Sequence, residues 1–399
     1  MVYTEIDMQQ VVIASGARTP IGSFMGALSN IPAPRLGAIA IKSALERAGI
    51  KPEQVEEVLM GCVLQGGLGQ APARQSAIYA GIPDSVPCTT INKVCGSGMK
   101  TVMLAAQSIM LGEAHTIVAG GMENMSLTPY ALFKARGGYR MGHGEITDLM
   151  IYDGLWDPYK NIHMGNAGDL CARECDIPRE RQDEYAIESY KRALTAQKEC
   201  RLAEEIVPVE IPQRKGDPIV VEHDEEPGRA NLEKLPSLSP AFDKEGTVTA
   251  GNASSINDGA AALVVMSADK AKELGIEPLA RYIAHTQHAQ APEWFTTAPA
   301  FAIEKLLKKT GKKVEDISLF EVNEAFSVVA LAVADRVGIP REKLNVNGGA
   351  VALGHPIGMT GTRLILTLAY ELKRRGGGLG IATPCIGGGE ATAVMIEVE

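Results

Sequence analysis

Two cysteines and a histidine, each set among glycines, are the residues of this chain best suited by type to do chemistry. Cys95 lies in "NKVCGSGMKTV" (92–102), just ahead of a run in which Met99, Val102, Met103, Ala106, Ile109 and Met110 recur at helical spacing. A thiolate at a helix start meets the positive end of the dipole, which predicts a lowered pKa and a reactive nucleophile. Gly96, Ser97 and Gly98 leave backbone N–H groups open and few side chains in the way of a bulky electrophile. His355, in "NGGAVALGHPIGMTG" (347–361), stands between Gly354 and Pro356 ahead of an apolar helix, where an aimed imidazole near Cys95 could take the thiol proton. Cys385, in "ATPCIGGGEAT" (382–392), follows a predicted strand and precedes three glycines. Their N–H groups could hold an oxyanion, and the second thiol could shuttle protons. Asn323, in "LFEVNEAFSVV", closes an apolar strand and reads as a helix N-cap. Taken singly, each pattern also fits a structural residue: an inert buried cysteine, a surface histidine, a glycine turn.

Composition narrows the partners. A net charge of −9 and 5% aromatic residues argue against a nucleic-acid partner, which wants a basic face and stacking platforms. The start "MVYTEIDMQQ" lacks the basic and apolar regions of a secretion signal, and no run approaches a membrane span, so a cytoplasmic protein is expected. Seven cysteines without framework spacing fit reduced thiols. Cys171 and Cys175 are spaced i, i+4 on a predicted helix, but no second Cys/His pair completes a zinc site, and no dinucleotide fingerprint opens a helix after a strand. No metal is expected.

The elements that must position these residues alternate as strand and helix. "VVIASG" (11–16) and "EVLMGCVL" (57–64) read as strands, and "RLGAIAIKSALERAGI" (35–50) as an amphipathic helix closed by Gly49, a pattern that favours an α/β architecture. A loose duplication runs through the chain. "CGSGMKTVMLAAQSIMLGEAHTIVAGGMENMS" passes from a small-residue turn through a helix to a glycine-ended strand, and "GHPIGMTGTRLILTLAYELKRRGGGLGIATPCIGGG" repeats that order. Likewise "EEVLMGCVLQ" is echoed by "ISLFEVNEAF". Between the halves, residues 128–255 change texture, with a charged helix over 178–199 and the turn-rich "HDEEPGRANLEKLPSLSPAFDKEG", as a lid or substrate clamp would.

In that order, "NKVCGSGMK", "VNEAF", "GHPIG" and "CIGGG" resemble the thiolase family over essentially the whole chain, together with "GGMENMS", "HMG", "PAFDKEGTVTAGNAS" and "NVNGGAVALGHPIG". The resemblance implies an α/β thiolase fold of two stacked halves in five layers, α-β-α-β-α, with an inserted loop domain. The halves would be 1–127 with 256–277, and 278–399, with 128–255 as the insertion. It implies reversible condensation of two acetyl-CoA to acetoacetyl-CoA and CoA, with a broader 3-ketoacyl-CoA thiolase, acting on longer or 2-methyl-branched substrates, as the alternative. Within it, Cys95 would be acylated with His355 taking its proton, and Cys385 would remove the α-proton of the second acetyl-CoA. His355 and a water held by Asn323 would form one oxyanion hole, and the N–H groups of Cys95 and Gly387 the other. Leu155, His163, Met164 and Ser254 would line the pantetheine, Phe242 and Phe326 the pocket walls, and Lys134, Arg136 and Arg140 would attract the CoA phosphates. The nucleotide loop departs from the family pattern: Gly228 follows Pro227, leaving Arg229 as its arginine. "GHPIGMTG" and "EVNEAFSVV" are similar to the potassium-activated branch, and Trp294 and Phe295 fall where that branch meets a 2-methyl substrate. No cofactor is required, CoA being substrate and product, and a homo-oligomer (dimer or dimer of dimers) is implied. A ketoacyl synthase would pair its cysteine with two histidines. A mere acyl-CoA binder has no use for two thiols, and a cysteine hydrolase gives Cys385 no role.

Overall fold

The computed structural model describes residues 8–399. Several strands are apolar at consecutive rather than alternate positions, the mark of strands covered on both faces. Val11–Arg18, Thr116–Asn124 and Asn257–Ser267 are buried at every residue. One mixed sheet runs in the order Leu319–Val322, Gly378–Thr383, Glu390–Val398, Ala280–Ala289, Val11–Arg18, Asn257–Ser267, Thr116–Asn124, Glu57–Gly61 and Cys88–Ile91. Within it the duplication is explicit. Glu57–Gly61 pairs parallel with Thr116–Asn124 on one side and Cys88–Ile91 on the other; Leu319–Val322 pairs parallel with Gly378–Thr383, and Phe320 bridges Leu344 in parallel on its other side. The two halves join edge to edge, antiparallel, over Val11↔Tyr282, Val12↔Arg281 and Ile13↔Ala280.

Helices complete five layers. Ala33–Ala48 and Pro72–Tyr79 bury their apolar faces on the outside of the first half, and Ala298–Thr310 and Ser327–Val337 on the outside of the second. Ser97–Met110 and Ile357–Arg374 fill the middle, packed against each other and against strands of both halves. The two central helices approach so closely that glycine is required where they cross. A Cβ at Gly98 would come within 2.5 Å of Thr362 Oγ1 and 2.9 Å of the Gly358 carbonyl, and one at Gly361 would strike the Met99 backbone.

The stretch 128–255 contains two helices, Met164–Glu174 and Arg179–Lys198, which pack over the second half, and short hairpins. A buried guanidinium ties it to the first: Arg18 donates to Glu205 Oε1 at 2.5 Å and to both Asp224 oxygens at 2.7 and 2.9 Å. Charges buried this way fix position, since their mutual attraction largely offsets lost hydration. Two boundaries differ from the expected ones. The helix expected at 35–50 is Ala33–Ala48 with Gly49 in the left-handed conformation at its end, and the strand expected over 57–64 stops at Gly61, because Cys62–Leu64 turns inward to meet a buried carboxylate. No described helix is long and apolar enough to cross a membrane.

Candidate active site

Cys95 rides on a tight loop ahead of the Ser97–Met110 helix. Lys93 N–H donates to Ser97 Oγ (2.8 Å), and that hydroxyl donates back to the Val94 carbonyl (2.6 Å). Val94 is held at φ +46°, a strained conformation for a β-branched residue, of the kind that accumulates at functional sites. Across the loop, Lys93 pairs with Glu390 of the second half. Gly96 is small for packing: a side chain there would run into Ile386, which follows Cys385. Together with Gly98 it therefore lets the halves close on one another, a different reason from the open approach that the sequence suggested.

The Cys95 thiol contradicts one expectation outright. Burial pushes it up to about 11, whereas the N–H groups of Gly387 and of Cys95 itself pull it down and the Glu123 carboxylate raises it further. The helix terminus does not make a resting thiolate, because desolvation of the charge outweighs the dipole. The same two N–H groups, one from each half, converge on the Cys95 sulfur. Gly387 is itself packed between Val94 and Met164, where a Cβ would sit 3.6 and 3.4 Å from their side chains.

His355 is fixed from three sides. Its backbone N–H donates to Asn257 Oδ1 (2.8 Å), while Gly354 at φ +102° presses against that same amide, leaving no room for a Cβ. Thr360 donates its hydroxyl to the Pro356 carbonyl (2.9 Å), so at 2.6 Å it must accept from His355 Nδ1–H. That sets the tautomer and leaves Nε2 as the basic nitrogen, which Asn323 Nδ2 approaches at 3.3 Å. Burial lowers the His355 pKa to about 3, helped by Arg363, so the resting ring is neutral.

Asn323 is not a helix cap. Phe326 occupies that position and the helix begins at Ser327. Instead Asn323 is wholly buried, its N–H bound to the Thr383 carbonyl (3.0 Å), and its side-chain Oδ1 has no partner. It holds His355 Nε2 directly. Its neighbour Glu324 anchors the turn by accepting from Tyr185 (2.7 Å), Ser189 (2.7 Å), Asn345 (2.8 Å) and the Val351 N–H (3.1 Å). Cys385 is buried and its pKa lies well above the usual thiol range, through burial first and the nearby Cys95 second, with the N–H groups of Cys385 and Ala325 opposing. The two sulfurs, one from each half, thus lie near enough for the charge of one to act on the other.

A wall of aromatic rings extends from this centre. His163 stacks on Phe242 (4.6 Å, 17°), Phe242 meets Phe326 edge-on (6.2 Å), and Phe326 meets Phe295 (6.5 Å). Met164 is buried beside them, and the Ser254 N–H binds the Ala325 carbonyl (2.9 Å). Leu155 packs with Cys95 against Val63, Leu64, Met125, Met150 and Ile357. By contrast Lys134, Arg136, Arg140 and Arg229 are exposed on outer loops, and Trp294 is half-buried without a ring partner among the described residues. Sequence reasoning passed over Thr360, Asn257 and Glu123. Glu123 is buried at the end of the Thr116–Asn124 strand, where it accepts from the Val63 (3.1 Å), Leu64 (3.0 Å) and Gly358 (2.9 Å) N–H groups. Burial raises its pKa to about 7. A carboxylate inside "AGGMEN", otherwise free of charge, was the available signal.

Comparison with known proteins agrees over the full length. The profile "Thiolase, N-terminal domain" matches residues 11–269 and "Thiolase, C-terminal domain" matches 276–398. An acetyl-CoA acetyltransferase of Cupriavidus necator is 54% identical over 391 residues, spanning 98% of this chain and 100% of that one. The crystal structure of an acetyl-CoA acetyltransferase of Bacillus anthracis superposes with a TM-score of 0.96 at 44% identity, covering 98% of this chain and all of that one. The Acat5 thiolase of Ascaris suum, crystallised with coenzyme A, superposes with a TM-score of 0.94 at 41% identity and the same coverage.

Proposed function

The chain belongs to the thiolase family, and from that premise we propose how its residues perform the work of an acetyl-CoA acetyltransferase, joining two acetyl-CoA into acetoacetyl-CoA and CoA and reversing it. The observation that carries the reading is that the Cys95 sulfur, set in the first half, is served by the Gly387 N–H from the second, beside a histidine whose tautomer is fixed. With the imidazole and both thiols neutral at rest, proton transfer is coupled to bond formation rather than preceding it. As Cys95 attacks the first thioester carbonyl, its proton passes to His355 Nε2. The tetrahedral oxygen lies against the Cys95 and Gly387 N–H groups. As the C–S bond to CoA breaks, Cys385 gives its proton to the leaving sulfur, so CoA departs as the thiol and His355 keeps the Cys95 proton. Cys385, as thiolate, then takes a proton from the α-carbon of the second acetyl-CoA. The enolate oxygen is received by the Nε2–H that His355 took from Cys95 and by a water held by Asn323, so little reorganisation opposes its formation. The enolate carbon attacks the acetyl group on Cys95, and collapse of the tetrahedral adduct expels Cys95, which regains its proton from His355.

CoA follows the aromatic wall from Phe326 to His163, with Met164, Leu155 and Ser254 along it. Lys134, Arg136, Arg140 and Arg229 meet the phosphates as a diffuse basic rim. The steps above require no metal or organic cofactor, CoA being substrate and product. Potassium activation is tested by thiolysis rates after replacing potassium with sodium. The exposed Phe133, Tyr139, Met141 and Ile146 fit a homo-oligomer, tested by light scattering in solution.

The decisive experiment is to incubate variants with acetyl-CoA and weigh the intact protein. Cys95→Ala should gain no acetyl group. Cys385→Ala should gain it and fail to make acetoacetyl-CoA, and condensation by that variant at the normal rate would overturn the proton-transfer role. Thiolysis of acetoacetyl-CoA should exceed that of longer and 2-methyl-branched 3-ketoacyl-CoA.

A further inference from the structure

Behind the catalytic cleft lies a second pair of thiols that the reaction does not use. Cys171 and Cys175 sit one turn apart at the end of the Met164–Glu174 helix, with sulfurs 3.9 Å apart and the Cys171 thiol directed at Cys175. Cys171 is fully buried in the core cluster that also holds Cys385, Met164 and Phe326; Cys175 is half-buried at the rim. We propose that these two form a peroxide-oxidisable dithiol, a modification site that closes into a disulfide before either catalytic cysteine is oxidised.

The geometry permits the bond. Positions i and i+4 of an α-helix place their Cα atoms about 6.2 Å apart, inside the roughly 4.4–6.8 Å that disulfides span. Their Cβ atoms, about 5–6 Å apart, must close to about 3.5–4.5 Å, so the bond forms only if the last turn tightens. Cys175 has already left regular helix geometry (φ −101°, ψ 8°), and the following Asp176 turns at φ +51°, so the last turn can tighten without disturbing the rest. Reactivity favours the same site. The Cys171 hydrogen bond lowers the Cys175 pKa, against burial and the carboxylates of Asp176, Asp335 and Glu174, whereas Cys95 and Cys385 are both raised. Because the thiolate is the nucleophile, Cys175 should react with a small hydroperoxide ahead of Cys95 and Cys385.

In the first step the Cys175 thiolate attacks one peroxide oxygen. An S–O bond forms, the O–O bond breaks, and the leaving hydroxide is protonated to water. In the second, Cys171 sulfur attacks Cys175 sulfur, the S–O bond breaks, and the hydroxide leaves as water with the Cys171 proton. Two thiols lose two electrons and one hydrogen peroxide becomes two waters.

The test treats the intact enzyme with limiting hydrogen peroxide and follows both chemistry and activity. Tryptic mapping should show the peptides either side of Arg173 joined by a reductant-sensitive link while Cys95 still takes up iodoacetamide. Cys175→Ser, and separately Cys171→Val, should abolish that link and shorten the half-life of activity in peroxide by about threefold or more. Oxidation of Cys95 or Cys385 while both Cys171 and Cys175 remain reduced would overturn the proposal. So would inactivation of both variants at the parent rate.

Discussion

The two halves of this molecule fold alike and do different chemistry. In the first, the strand Thr116–Asn124 ends in Glu123, which binds three N–H groups and acts as a clamp; in the second, the matching strand Gly378–Thr383 leads into Cys385, which shares the catalytic cleft. After Glu57–Gly61 comes a turn bound to that clamp; after Leu319–Val322 come Asn323 on His355 and Glu324 anchoring the turn. In the proposed mechanism the first half contributes the nucleophile and its own N–H, and the second contributes the base, the second thiol and the other N–H. A duplicated frame supplies equivalent strand ends facing one seam, and only the side chains placed there decide which end reacts.

That asymmetry can be broken in order of consequence. His355→Ala removes the base that takes the Cys95 proton and one proposed donor to the enolate oxygen, so kcat should fall by about 10³-fold, read from thiolysis kinetics. Asn323→Ala deletes one donor and should reduce kcat by about 10²-fold with acylation of Cys95 largely retained. Equal loss of acylation would mean that Asn323 serves the first step as well. On the structural side of the comparison, Gly361→Ala forces a side chain into the Met99 backbone at the crossing of the central helices. It should destabilise the protein by about 2 kcal/mol, measured by urea unfolding.

The smallest effect sharpens the contrast between clamp and catalyst. Burial lifts the Glu123 pKa from its ordinary 4.5 to about 7, so the folded state favours the protonated acid. Its contribution is fully present below about pH 4.5 and is lost as pH rises through about 7. Urea midpoints should therefore fall between about pH 5 and about pH 8, and Glu123→Gln should flatten that fall. A pH dependence unchanged by Glu123→Gln would assign it to other groups.

Much of this was legible in the chain. Consecutive apolar positions marked the doubly covered strands, and the repeated order of turn, helix and glycine-ended strand marked the duplication. Cys95, His355 and Cys385 stood out because reactive side chains among glycines are hard to explain by packing alone. Asn323 was visible as a residue but misplaced as a cap, since "VNEAF" looks the same whether the helix starts at once or four residues later. Thr360 and Asn257 carried no signal at all: their roles arise from partners five and 98 positions away.

The sequence alone settled which side chains were available and on which kind of element each would ride, because helical and strand periodicities are local properties of the chain. Tertiary structure alone decided their chemical state. A thiol expected to be acidic at a helix terminus lies up near 11, and a histidine lies down near 3, because desolvation depends on what the opposite half lays over them.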